Sequence, residues 1–129
     1  MVGCDEGRVQ GYECTLRKLA IGDDAYLGRL IASEPANLVE SGLDPKTHAL
    51  VRISALVAVD APAPSYLEAV DAARASGATD REIVGCLLAV LPELGATRAI
   101  SAAPKLGLAL GYDVVAALEE SLPTRPLSP

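Results

Sequence analysis

Few residues in this chain have types and spacings that offer chemistry. His48 is the only histidine among 129 residues, and Arg52 follows it four positions later. On a helix that spacing sends both side chains to one side, together with Ala55 and Val59. An arginine that holds a carboxylate beside a histidine that exchanges a proton near neutral pH makes a grip for a small organic acid. The same pair also reads as an exposed first-turn histidine and an inter-helix ion pair. Glu93 stands between Pro92 and Leu94, after the apolar run 83–91. There it is either a carboxylate at a new helix start, favoured by the helix dipole, or a buried acid, with Arg98 as its candidate partner. Glu68 and Asp71 share one side of a helical segment whose other side carries Tyr66, Ala69, Val70 and Ala73. Glu68 therefore reads as part of a solvated face or as an acid/base group. Tyr66 suits core packing, although a phenol beside a cavity also donates a hydrogen bond. Ser65 has no histidine near it in sequence, which favours an N-cap over a nucleophile.

The thiols are Cys4, Cys14 and Cys86. Their odd number and the lack of Cys-x-x-Cys spacing give neither a disulfide framework nor a zinc site. A Cys4–Cys14 bridge is open by spacing but disfavoured in a reducing compartment. Cys86 lies within the apolar run and reads as an inert core residue. Phosphate-cradling glycines and clusters of metal ligands are both missing from the sequence, so no cofactor is expected.

The elements that position these residues are helices. Half the residues are hydrophobic, yet only 3% are aromatic and none is Phe or Trp. Ala, Leu, Val and Ile must then build the core, which suits closely packed helices. Helical spacing and its punctuation predict segments at 13–20, 23–32, 44–59, 65–76, 79–91, 95–110 and 114–121, with 35–43 as a connector. Asp44-Pro45 is a strong start, and Thr79-Asp-Arg-Glu82 is a capping box. Pro92 is expected to end or kink its helix and Pro104 to kink the next. The segment from Ala49 onward is apolar nearly all round, so it is expected to be enclosed by other helices. The expectation is one all-α domain over 1–122, with about six to seven short helices and a Pro-rich tail at 123–129. Covering two such apolar helices within so short a chain calls for contacts between copies, hence a homo-oligomer.

Charge and hydropathy exclude other classes. A net charge of −6 leaves no basic face for a nucleic acid. Asp5, Glu6 and Arg8 break up the start of the chain, which does not read as a signal peptide. Arg52, Glu93, Arg98 and Lys105 interrupt every apolar run that approaches membrane-spanning length. The expected partners are thus a small-molecule ligand and further copies of the chain, with no nucleic acid and no membrane, in the cytoplasm.

Three strings occur in order: Leu43-Asp-Pro-Lys-Thr-His-Ala-Leu-Val-Arg52, then Gly77-Ala-Thr-Asp-Arg-Glu-Ile-Val84, then Leu91-Pro-Glu-Leu-Gly-Ala-Thr-Arg98. Their order and spacing over 43–112 resemble the carboxymuconolactone decarboxylase and alkylhydroperoxidase D-like superfamily. The resemblance implies a small all-helical homo-oligomer, a trimer or a hexamer. The peroxidase branch of that family opens the helix before the Gly-Ala-Thr turn with Cys-x-x-Cys-x-x-x-His. The corresponding positions here are Pro62, Ser65 and Ala69, so the dithiol route is excluded, because serine forms no disulfide. The decarboxylase branch does without the thiols but usually keeps the histidine, which Ala69 replaces. The resemblance therefore implies a non-redox, cofactor-independent member that binds a small organic acid or lactone and can carry out proton-transfer chemistry, a decarboxylation or isomerisation of the lyase kind. On that reading His48, Glu68 and Glu93 are the candidate acid/base groups, and Arg52, Ser65, Tyr66 and Arg98 the candidate binding groups. The alternatives are a catalytically silent scaffold or ligand-binding module, and peroxide reduction by Cys86 alone, which would need an exposed, acidic thiol.

Overall fold

The computed structural model describes residues 11–122; the N-terminal stretch with Cys4 and the Pro-rich tail lie outside the described residues. Among the described residues the protein is all-helical, with eight helices and no strand. These are α1 (Tyr12–Ala20), α2 (Asp24–Ala32), α3 (Glu34–Ser41), α4 (Pro45–Ala58), α5 (Ala63–Ala75), α6 (Asp80–Leu94), α7 (Ala96–Leu110) and α8 (Val114–Ser121). The chain divides into two compact units, with the boundary in sequence between Leu43 and Asp44. None of the described helices is long and apolar enough to cross a membrane.

Short polar side chains start most of these helices by accepting an orphan backbone N–H. Asp23 accepts from Tyr26, Ser33 from Ala36, Asp44 from Thr47 and Asp113 from Ala116, at 2.9–3.2 Å. The capping box is complete: the Glu82 amide donates to Thr79 Oγ1 at 3.1 Å and the Thr79 amide to Glu82 Oε1 at 2.9 Å. Proline accounts for the departures from the expected elements. The connector expected at 35–43 is the helix α3, because Pro35 occupies its first turn, where a missing N–H costs nothing. Likewise α5 starts at Ala63, with Pro62 as its N-cap residue, so Ser65 sits inside the first turn and is not the cap. Pro92 does not end α6, which continues to Leu94 and stops at Gly95 with φ 80°.

Among the described residues of the first unit, Tyr26 is the buried side chain. Its hydroxyl donates to Glu40 Oε1 at 2.8 Å, and the Lys18 ammonium lies 4.8 Å from its ring centroid. Cys14 is disulfide-bonded, so the expectation of three separate thiols is corrected.

The second unit is the larger. Helix α4 packs on α5 and α6, α7 packs on α5 and α6 in turn, and α8 lies against α7. Ile53, Val57, Tyr66, Val70, Ile83 and Leu106 are fully buried at the centre. Alanines at 49, 69, 73, 102 and 109 fill the spaces between them, as a core without Phe or Trp requires. Gly107 lets α7 meet the chain that follows it. A Cβ there would lie 2.7 Å from Val114 Cγ2 and 2.8 Å from the Tyr112 carbonyl oxygen. The enclosure expected for α4 is not seen within one chain. It buries His48, Ala49, Ile53 and Val57, but Val51 is 53% exposed, and Val59, the C-cap residue that follows it, 70%.

Candidate functional site

Helices α4 and α5 each contribute residues spaced i, i+3, i+4 to one pocket. From α4 come Arg52, Ala55 and Leu56, and from α5 come Ser65, Glu68 and Ala69. That spacing puts each trio on one stripe of its helix. The pocket has a volume of about 270 Å³. Ala55 and Ala69 keep it open, since neither reaches beyond a methyl group. Arg52 and Ser65 are half-buried and Glu68 is exposed. Arg52 already takes part in at least one polar or electrostatic interaction. A guanidinium fits a carboxylate through paired N–H donors, and a serine hydroxyl can serve a further oxygen. Glu68 adds an acceptor that suits a hydroxyl or an amine on the same ligand.

Three of the seven residues singled out by type and spacing thus converge: Arg52, Ser65 and Glu68. The others go elsewhere. His48 is one turn before Arg52 on α4 but does not line the pocket; it is buried and engaged in an interaction, not an exposed first-turn residue. Tyr66 adjoins Ser65 in sequence yet turns into the core. Its hydroxyl is buried without a hydrogen-bond partner, and burial raises its pKa, with the nearby Asp60 charge adding to the effect and Arg98 opposing it. Glu93 is neither a buried acid nor a helix-start carboxylate. Because α6 runs through Pro92, Glu93 is exposed on that helix's last turn. Arg98 has Asp60 as its ion-pair partner, at 3.3 Å, in place of Glu93.

That ion pair belongs to a polar cluster centred on Asp60, a residue that type and spacing did not single out. Asp60 follows the C-cap of α4 with φ 53°, a left-handed conformation that aspartate tolerates better than most residues. Its carboxylate accepts from Ser101 Oγ at 2.6 Å and from Lys105 Nζ at 3.2 Å. These hydrogen bonds, Ser101 first, hold the Asp60 pKa below its usual value, with Lys105 and Arg98 adding attraction. The available signal was the stripe Arg98, Ser101, Lys105, polar residues at helical spacing on an otherwise apolar helix. Nothing in the residue order told which carboxylate it would meet.

Cys86 is buried, its thiol donates to the Glu82 carbonyl at 3.5 Å, and burial pushes its pKa up. That is the opposite of the exposed, acidic thiol that peroxide reduction requires. Among the described residues, no group of three or more His, Cys, Asp or Glu is placed to hold a metal ion. No protein-family model, no curated protein and no solved structure matches this chain.

Proposed function

We propose that the protein binds a small organic acid in the α4–α5 pocket, as a non-redox relative of the carboxymuconolactone decarboxylase-like proteins whose motifs it resembles. The observation that carries this reading is the meeting of Arg52, Ser65 and Glu68 on one cavity of about 270 Å³. Arg52 anchors the carboxylate, Ser65 takes a second oxygen, and Glu68 selects ligands with a donor on the opposite side. Binding is better supported than decarboxylation or isomerisation. Proton transfer in two directions calls for a second titratable group facing Glu68, and neither His48 nor Glu93 lines the pocket. A ligand-binding module within a homo-oligomer is therefore the form of the proposal we favour. Its cytoplasmic residence, expected from the sequence, stands against the disulfide at Cys14, a bond that belongs with oxidising surroundings.

Calorimetric titration with aromatic and lactone carboxylates tests the site. The parent is expected to bind at least one of them, and Arg52→Ala to weaken that binding by about tenfold or more, the usual weight of a charged hydrogen-bonding partner. Equal affinity in Arg52→Ala, with helicity retained, would remove the pocket from consideration.

A further inference from the structure

A second cavity lies between α5 and α7. Ala63, Pro64 and Leu67 form one wall, Leu108 and Ala109 form the other, and Lys105 is the single polar lining residue. Its volume is about 260 Å³, close to the small end of ordinary ligand pockets at about 300 Å³. Leu67 and Leu108 are both more than half exposed, so apolar surface is left uncovered on both sides of the groove.

Lys105 ties this groove to the Asp60 cluster. Its ammonium donates to Asp60 Oδ1 at 3.2 Å and to the Ala61 carbonyl at 3.0 Å. An ammonium has three N–H donors, so one remains. The cluster sets the two cations Arg98 and Lys105 against the one carboxylate Asp60. It therefore carries an excess of one positive charge, on a chain whose net charge is −6. A groove that is apolar along its length and cationic at one side matches a ligand that is apolar along its length and anionic at one end.

We propose that the α5–α7 groove binds a medium-chain alkyl carboxylate, its chain against Leu67 and Leu108 and its head group on Lys105. A second copy of the chain is the competing occupant, and the charges disfavour it. An apolar helix face laid over this groove would strip water from Lys105 and return no hydrogen bond. A carboxylate head replaces that water with a charged acceptor. This site is separate from the Arg52 pocket and does not depend on it.

The probe is octanoate, followed by amide chemical shifts on the full chain, with octanol as the neutral-headed comparison. Octanoate is expected to shift the amides around Leu67, Lys105 and Leu108. Lys105→Met keeps the length of the side chain and removes its charge; it should weaken octanoate binding by about tenfold and leave octanol binding unchanged. Leu67→Asp should abolish binding of both probes, and in Arg52→Ala the octanoate-induced shifts around Leu67, Lys105 and Leu108 should persist. The proposal fails if octanoate leaves these amides unmoved or if Lys105→Met binds it like the parent. It fails equally if Arg52→Ala loses these shifts, which places the ligand in the other pocket, or if Leu67→Asp converts an oligomer to monomers, which makes the groove an interface.

Discussion

Two helical glycines show how a single methyl group changes sign with its surroundings. Gly107 is buried in α7, and an added Cβ would meet the Tyr112 carbonyl at 2.8 Å and Val114 Cγ2 at 2.7 Å. The valine can turn aside, but the carbonyl belongs to backbone held by the Tyr112 amide, which donates to the Gly107 carbonyl at 2.8 Å. Gly85, in the middle of α6, has nothing within 4 Å of the same position. There the methyl brings only the helix preference of alanine, roughly 0.5–1 kcal/mol. Gly107→Ala is expected to destabilise the protein by about 1–3 kcal/mol, the usual cost of overpacking. Gly85→Ala is expected to stabilise it, and urea denaturation of the two variants reads both signs. At this scale the sequence was legible only in part. Arg52, Ser65 and Glu68 could be picked out because their chemistry is carried by residue type. Their convergence depends on which faces of α4 and α5 meet, and that is set by tertiary packing. The same holds for Asp60, whose left-handed backbone and three partners on α7 have no local signature.

Helix starts were the most legible elements, because a cap is a local event. Asp44 and Thr79 each accept the backbone N–H their position in the sequence foretold, and Asp23 and Asp113 cap their helices in the same way. Proline misled for an equally local reason: it suits a helix when it falls in the first turn, as Pro35 does in α3 and Pro64 in α5, and even in the interior of α6 Pro92 did not end the helix. Glu82 makes the cap of α6 sensitive to pH. It closes the capping box, and its other oxygen lies 2.7 Å from Lys46 Nζ, which joins α6 to the first turn of α4. The Lys46 hydrogen bond and then the Thr79 amide hold the Glu82 pKa below that of a free glutamate. Asp44, Asp60 and Asp80 are lowered by their own partners. A carboxylate lowered in the folded state binds protons more readily when unfolded. Its contribution is complete above the unfolded value of about 4 and is lost as pH falls through the lower folded value. The melting temperature is therefore expected to stay level from pH 7 to about 5 and to fall below about 4. Glu82→Gln keeps an acceptor for the Thr79 amide but neither titrates nor pairs with Lys46, so its acid decline should be shallower and its melting temperature at pH 7 lower than the parent's. A decline as steep as the parent's would show that Glu82 is not among the groups responsible.

Across the whole molecule, the apolar surface of the second unit is larger than one copy can bury. Val51 on α4, Val59 at its C-cap and Val84 and Leu88 on α6 are all exposed, although α4 was expected to be enclosed by other helices. Single exposed apolar residues are ordinary; several on neighbouring helices of one unit are the surface that the proposed homo-oligomer would cover. Covering a leucine side chain is worth about 1.5–3 kcal/mol, and each 1.4 kcal/mol is a factor of about ten in affinity. Leu88, 62% exposed within one chain, supplies a direct test of the proposed homo-oligomer. In a monomer, Leu88→Asp changes a surface residue and should alter stability by no more than about 0.5 kcal/mol. In an oligomer that buries it, the same change places a charge in an apolar contact and should weaken association by about tenfold to a hundredfold or more, with helical circular dichroism unchanged. Sedimentation of parent and variant across a concentration series separates these outcomes. Should both sediment as 13.3 kDa monomers throughout, α4 and α6 tolerate their exposed faces and no assembly is needed to explain them.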